Sequence, residues 1–241
     1  METRATIVLP VYNEEEQIVQ HTKRLVGWIA ETPWASSTII IADNGSTDAT
    51  PKLGLELVQT FANVRYRRTE AAGRGGALRD AWSSANDPVL AYTDIDLSTT
   101  LADMMLILGC VGSGAADIAI GSRLIEGAIV QRSLRREIIS RVYNATVRAL
   151  LGVPFRDAQC GCKAIKRTVA MSLLERVEDD GWFFDTELLV HAHRDGIAVR
   201  EIPVRWSDDD DSRVKIVQTV LRDLRGIMRM RRSGFMQKNR L

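Results

Sequence analysis

Short β-branched runs alternate with amphipathic helical stretches through the first half of the chain, and this alternation limits the possible folds more than any other feature. Ala5–Leu9, Thr38–Ala42, Val64–Arg67, Val89–Thr93 and Ala116–Ile120 read as buried strands. Glu14–Ala30, Asp48–Thr60, Gly76–Ser84 and Ala102–Val111 lie between them with helical periodicity, and Ser46, Asp48 and Pro51 mark one helix start. Strands alternating with helices predict an α/β fold, a mostly parallel sheet with helices on both faces. Ligands of such sheets collect at the carboxyl ends of the strands. Beyond about Gly121 the rhythm changes. A long helix is expected over Leu134–Leu151, then an irregular segment with Gly152, Pro154 and Gly161. Helices near Thr168–Val177 and Phe184–Arg194 precede a strand at Val199–Val204. No repeat or low-complexity linker appears, so 1–241 is expected to form one domain, with 214–241 a basic amphipathic helix and tail.

Composition removes several classes. The hydrophobic share of 45% supplies a sizeable core, and a formal net charge of +1 argues against nucleic acid as partner. The three cysteines, Cys110, Cys160 and Cys162, do not form a disulfide framework. A zinc site needs about four ligands, and His191 and His193 fall on a separate expected helix. No run approaches the roughly 20 apolar residues of a membrane span, and the start enters Ala5–Leu9 without a signal-peptide pattern. The expectation is a reduced, cytoplasmic chain that neither is secreted nor crosses a bilayer.

Three expected strands end in polar clusters: Pro10-Val11-Tyr12-Asn13-Glu14, Asp43-Asn44-Gly45-Ser46-Thr47-Asp48 and Asp94-Ile95-Asp96-Leu97-Ser98. In a parallel sheet they converge on one crevice. Two carboxylates one residue apart can share magnesium or manganese, which take oxygen ligands and often use one or two carboxylates plus phosphate oxygens. Alone, Asp94 and Asp96 could equally cap the next helix; beside the other clusters they point to a metal and a phosphate. Gly73-Arg74-Gly75-Gly76-Ala77 opens a helix where backbone N–H groups favour an anion, or forms a simple tight turn.

These residues resemble the inverting GT-A glycosyltransferases, and within them the polyprenyl- or dolichyl-phosphate sugar synthases, in particular the dolichyl-phosphate glucosyltransferase-like branch. The likeness continues through Gly121-Ser122-Arg123, Asp157-Ala158-Gln159-Cys160-Gly161-Cys162-Lys163, Trp182-Phe183-Phe184-Asp185-Thr186-Glu187 and Pro203-Val204-Arg205-Trp206. It implies a GT-A, Rossmann-like fold. It implies a nucleotide-sugar donor, UDP-glucose before GDP-mannose, held by Pro10, Tyr12, Asn13, Glu14, Asp43, Arg74 and Arg213. Asp94, Asp96 and Ser98 would bind Mg2+ or Mn2+ and the diphosphate, and Arg123, Arg136 and Ser140 the phosphate of a polyprenyl phosphate acceptor. Asp94, Asp96, Arg123 and Asp157 form the implied catalytic set. Three positions depart from the family: Asn44 for a second Asp, Arg74 for Lys and Cys162 for an aromatic residue.

A lipid monophosphate has its second pKa near about 6 and is largely dianionic at neutral pH, so it can attack without a strong base. A hydroxyl acceptor, the competing enzymatic reading, would need one, and Asp157 is the candidate. A non-catalytic nucleotide-sugar-binding subunit is the reading from another class. Glu187 either approaches the metal or pairs with a basic neighbour, and Trp182, Phe183 and Phe184 either line a groove or pack inside. Asp208–Asp211 is a solvated loop or a lid before Arg213. Val214, Val217, Leu221, Leu224 and Met228 form an apolar stripe beside Lys215, Arg222, Arg225, Arg229 and Arg232, predicting peripheral contact with the cytoplasmic membrane face. The resemblance adds a possible multi-span membrane protein partner.

Overall fold

A computed structural model describes residues 3–70, 73–207 and 222–232. Nine strands and seven helices run in the order β1 (Ala5–Val11), α1 (Ile18–Ala30), β2 (Thr38–Asp43), α2 (Thr50–Thr60), β3 (Val64–Arg68), α3 (Arg74–Ser84), β4 (Val89–Thr93), α4 (Leu101–Gly112), β5 (Ile118–Ser122), β6 (Ile129–Gln131), α5 (Leu134–Leu151), β7 (Cys162–Lys166), α6 (Arg167–Leu174), α7 (Phe184–Arg194), β8 (Val199–Pro203) and β9 (Arg205–Ser207). An eighth helix, α8, covers 222–232.

The main sheet has the order β3-β2-β1-β4-β7-β5-β8. Its pairs are parallel except those of β7, which runs antiparallel to both β4 and β5. The expected α/β sheet is therefore present, with one strand that the sequence pattern did not reveal. Cys162–Lys166 lacks an unbroken apolar run because Lys163 interrupts it, yet Cys162, Lys163, Ala164 and Ile165 are all buried. β6 and β9, three residues each, pair with one another as a separate ribbon and were also too short to register as strands.

Alternation along each strand feeds two cores. Ile7 and Leu9 of β1 join Leu25 and Ile29 of α1 and Ile107 of α4 on one face. Val8 joins Trp82 of α3, Leu188 of α7 and Ile227 of α8 on the other. Burying each such side chain contributes about 1.5–3 kcal/mol. Strand order reverses at β1, between β2 and β4, so the crevice at the carboxyl ends of these strands is the topological switch point. β4, α5 and α7 keep their expected bounds. α1 starts at Ile18 rather than Glu14, because the Glu14 carbonyl closes a turn onto the N–H groups of Gln17 and Ile18. β5 lies two residues later than expected, which brings Gly121 and Ser122 into the sheet.

α8 covers part of the expected C-terminal stripe. Leu224 and Met228 are exposed, while Asp223, Gly226, Ile227 and Met230 are buried. The helix is turned this way because Gly226 rests on Phe183: a Cβ there would lie 2.3 Å from the ring atom Cδ1. Val214, Lys215, Val217 and Leu221 lie outside the described residues. Asp223 accepts a hydrogen bond from Gln159 Nε2 at 2.9 Å, but burial pushes its carboxyl up to about 6. The folded chain thus keeps this proton to about pH 6, whereas an unfolded Asp loses it near about 3.9. The favourable contribution is present below about pH 4 and is lost as pH rises to about 6. Asp223→Asn should therefore flatten the stability–pH curve between these values and raise the urea midpoint at pH 7; an unchanged midpoint would count against a buried, poorly compensated carboxylate.

Candidate active site

The loops after β1 and β2 are stitched together. Asn13 donates its N–H to Ser46 Oγ at 2.9 Å and accepts the Thr47 N–H on Oδ1 at 2.8 Å. The Glu14 N–H reaches Thr50 Oγ1 at 2.8 Å. Asn13 adopts φ 56°, a left-handed conformation that Asn tolerates better than most residues. Asp43 is wholly buried, accepting the Ser46 N–H at 2.7 Å on one oxygen and the Tyr66 hydroxyl on the other. Burial and this carboxylate hold the Tyr66 phenol in its protonated form, raised above its ordinary range. Pro10 is buried and Tyr12 half exposed at this rim. Asn44, where the resembled family carries Asp, accepts the Gly73 N–H and so ties the β2 loop to the start of α3.

Arg74, the first residue of α3, links that turn to the rest of the crevice. One guanidinium nitrogen bonds Asp94 Oδ1 and another bonds Asp185 Oδ2, each at 2.8 Å. Its plane lies 4.7 Å from the Tyr92 ring centre and 5.1 Å from that of Trp182. Burial opposes its charge, but Asp94 and Asp185 hold it protonated, with a pKa above the ordinary value. Lys163 Nζ completes the cluster, bonding the Tyr92 hydroxyl at 2.8 Å, the Cys160 carbonyl at 2.7 Å and Asp185 Oδ1 at 3.1 Å. Burial alone would raise the Asp185 carboxyl; Lys163 and Arg74 instead hold it below the usual carboxylate range. Lys163, Asp185 and Tyr92 had no assigned role at the sequence level. The available signal was a lysine inside an otherwise apolar strand-length segment.

Asp94 and Asp96 occupy the loop after β4. Asp94 is 37% exposed and its N–H reaches the Gly161 carbonyl at 2.9 Å. A Cβ at Gly161 would fall 1.6 Å from Asp94 Oδ2, so a glycine at this position lets the carboxylate sit where it does. Asp96 Oδ1 accepts the Ser98 N–H at 2.9 Å, and Leu97 between them takes φ 51°. The buried Ser98 Oγ has no partner among the described residues. Two partly exposed carboxylates and an unsatisfied hydroxyl fit a hard cation that takes its remaining oxygens from a diphosphate. No group of three His, Cys, Asp or Glu gathers among the described residues, so an all-protein cage is not formed there. The β9 ribbon braces this loop: Ser207 N–H reaches Ser98 O at 3.1 Å and Thr100 N–H reaches Arg205 O at 3.2 Å.

Arg123 and Asp157 form a second ion pair. Asp157 Oδ2 accepts the Arg123 N–H at 2.9 Å and Nε at 2.8 Å, and Oδ1 accepts Nη2 at 2.9 Å. Asp157 is fully buried; burial would raise its carboxyl, but Arg123 holds it low. It is thereby a poor proton acceptor. Arg123 also lies over Trp206, 5.3 Å from the ring centre. Arg136 and Ser140 sit one turn apart on α5 and are half-buried. Glu187 pairs with Arg229 of α8 at 2.6 Å, which decides between its two expected roles in favour of a basic neighbour. Phe183 and Phe184 are core residues, while Trp182 is 43% exposed beside Arg74. Arg213 and Asp208–Asp211 lie outside the described residues.

Comparison with known proteins gives a consistent picture. Residues 6–174 match the sequence profile described as Glycosyl transferase family 2. The chain is 37% identical over 219 residues to glycosyltransferase AglD of Haloferax volcanii, covering 90% of this chain and 35% of AglD, about a third of that protein's length. It is 31% identical to polyprenol monophosphomannose synthase of Mycolicibacterium smegmatis, over 85% of this chain and 78% of that one. It is 30% identical to dolichyl-phosphate beta-glucosyltransferase of Drosophila melanogaster, over 87% and 68%. In fold, it is similar to glucosyl-3-phosphoglycerate synthase of Mycobacterium tuberculosis in complex with Mn2+, UDP and glucosyl-3-phosphoglycerate. The TM-score is 0.71 at 16% identity, covering 95% of this chain and 80% of that one. The expected GT-A architecture is thereby established.

The Arg74–Asp185–Lys163 cluster has a stability consequence. Removing one partner from a buried ion network typically costs about 3–5 kcal/mol, because the other charges stay buried. Lys163→Met and Asp185→Asn should each lower stability by about that amount in urea unfolding. The double variant should lose clearly less than the sum of the two, by the logic of a double-mutant cycle. Additive losses would mean that Lys163 and Asp185 do not act on one another.

Proposed function

The chain belongs to glycosyl transferase family 2, and on that premise we propose that it moves a hexose from a nucleotide diphosphate sugar to a polyprenyl phosphate, with inversion. UDP-glucose is the favoured donor and GDP-mannose the second. The observation that carries this reading is the switch-point crevice, where Asp94, Asp96 and Ser98 lie at the end of β4 and the stitched β1 and β2 loops rim its other side. The names of the polyprenol- and dolichyl-phosphate transferases, matched over most of this chain, support the acceptor class. The reading treats 1–241 as one domain, placed peripherally at the cytoplasmic membrane face by its water-insoluble acceptor. A membrane-spanning protein partner would be compatible with it.

Pro10, Tyr12, Asn13, Glu14, Asp43 and Arg74 would hold the nucleotide, with Arg213 closing over the diphosphate. Asp94, Asp96 and Ser98 would hold magnesium or manganese, which when bound stabilises the charge of the departing nucleoside diphosphate. Arg136 and Ser140 would position the acceptor phosphate with Arg123. Asp157 takes Nε and Nη2 of Arg123, so a phosphate would meet this guanidinium through Nη1. The acceptor oxygen forms its bond to the anomeric carbon as the bond to the diphosphate breaks, and one in-line displacement inverts the configuration. A dianionic phosphate needs no proton removed, in keeping with a buried Asp157 held low by Arg123. The soluble-hydroxyl reading would require a base, and Asp157 is poorly suited to that task. A non-catalytic binding subunit would bind donor without turning it over.

The test is a thermal-shift panel of UDP- and GDP-sugars with manganese, followed by transfer to a short polyprenyl phosphate. Asp96→Ala should abolish transfer while leaving the unfolding midpoint near that of the parent chain, since the residue lies in a loop. Full activity in this variant, or in excess chelator, would sink the metal assignment. Arg136→Ala should weaken acceptor use by about 1.5–3 kcal/mol, the worth of a charge-assisted bond, with donor affinity little changed. Loss of donor binding instead would overturn the acceptor placement. Arg123→Ala is less informative, because it also strands the buried Asp157.

A further inference from the structure

Trp206 stands between the loop after β4 and the arginines of the Arg123 side. It is the central residue of β9, paired with Val130 of β6 and bridged to Thr99. Two guanidinium groups lie over its partly buried ring, Arg123 at 5.3 Å and Arg132 at 5.9 Å from the centre. An aromatic face attracts a cation through the ring quadrupole, most strongly where the cation is desolvated. The Arg132 side chain is only 4% exposed, and among the described residues its one counter-charge is Glu137. Arg132 Nε donates to Glu137 Oε2 at 2.6 Å, whereas Nη2 approaches the same oxygen without hydrogen-bond geometry. Glu137 is also shared: its other oxygen takes Arg141. Burial opposes the Glu137 charge, but Arg132 and Arg141 hold its carboxyl below the usual carboxylate range. Arg123 is matched by Asp157. Three arginines thus lean on two carboxylates, and a buried guanidinium with an unsatisfied N–H is costly until an anion meets it.

We propose that Arg132 is a further ligand of the acceptor phosphate, and that Trp206 is the positioning residue that holds it beside Arg123. The proposal deepens the transfer reading above and rests on it for the identity of the acceptor. A phosphate monoester dianion fits the local excess of positive charge, and planar guanidinium forks match its oxygens. Each fork keeps a nitrogen for it. Asp157 takes Nε and Nη2 of Arg123, and Glu137 faces Nε and Nη2 of Arg132, which leaves Nη1 of both uncommitted among the described residues. The strand that carries the ring also grips the metal loop on both sides of Trp206. Ser207 donates its N–H to Ser98 O, and Arg205 O accepts the Thr100 N–H. One short ribbon therefore sets where the acceptor arginines stand relative to Asp96 and Ser98. In-line displacement needs such a setting, because the reacting atoms must meet at about 3–3.5 Å.

The test is calorimetric titration of the full chain with a short-chain prenyl phosphate, and separately with UDP and manganese. Arg132→Gln and Trp206→Leu should each weaken prenyl phosphate binding about tenfold, with UDP affinity little changed. Trp206→Phe keeps an aromatic face and should recover most of the loss. The Arg132→Gln/Trp206→Leu double variant should lose less than the product of the single losses, because the ring acts partly through Arg132. In transfer assays the acceptor KM should rise while the donor KM holds. A merely structural Trp206 would weaken both ligands together and lower the thermal midpoint. If Trp206→Leu does not fold, Arg132→Gln and Trp206→Phe still decide the matter. Unchanged prenyl phosphate binding in Arg132→Gln would overturn the proposal, as would a parent that binds no prenyl phosphate. Weakened UDP binding with acceptor binding intact would also overturn it, by giving Arg132 to the donor diphosphate. Should the parent bind prenyl phosphate in the expected pattern yet transfer no sugar to it, the transfer reading falls and the phosphate site stands.

Discussion

The guanidinium of Arg74 holds the crevice together. It spans from the start of α3 to Asp94 in the loop after β4 and to Asp185 at the start of α7. Three segments distant in sequence therefore take their relative positions from one planar group. Its fork satisfies both carboxylates at once, which the single ammonium of Lys, the residue common in the resembled family, would do less well. Lys163 and the Tyr92 hydroxyl complete the network by meeting Asp185 from the β7 and β4 side. Desolvating these charges is costly, and the arrangement persists because each one has a counter-charge and hydrogen bonds.

The rest of the site inherits this frame. Gly161 approaches Asp94 where no side chain could fit, so the backbone just ahead of the antiparallel β7 lies directly against the carboxylate. The β9 ribbon holds the Ser98–Thr100 backbone from the other side. The Arg123–Asp157 pair is a second, separate frame, anchored where Glu201 accepts the Arg156 and Asp157 N–H groups at 2.9 and 3.1 Å. α5 is tied to the domain where Asn144 Oδ1 accepts the Ala158 N–H and where the Tyr143 and Thr186 hydroxyls bond one another.

Much of this was legible in the residues. The β1, β2 and β4 runs carry continuous apolar character, and their polar tails sit at the strand ends as expected. What failed did so for identifiable reasons. β7 was hidden because the lysine that breaks its apolar pattern is neutralised by Asp185, a residue on another element. β6 and β9 are too short to show a period. The outward placement of Leu224 and Met228 on α8 depends on the packing of Gly226 against Phe183, which periodicity alone does not show. That Asp157, the candidate base for a hydroxyl acceptor, lies buried against Arg123, which holds its carboxyl low, was likewise not visible along the chain.

The sequence by itself determined the α/β architecture, the three strand-end clusters and the family likeness. All three depend on local periodicity and on residue order, which survive without coordinates. Only the tertiary structure decided which charges pair: Arg74 with Asp94 and Asp185, Arg123 with Asp157, Glu187 with Arg229. It also decided which apolar residues of α5 and α8 stay in water. Those outcomes arise because ion pairing and burial depend on distances between residues as many as 111 positions apart, as for Arg74 and Asp185, and no pattern along the chain encodes such distances.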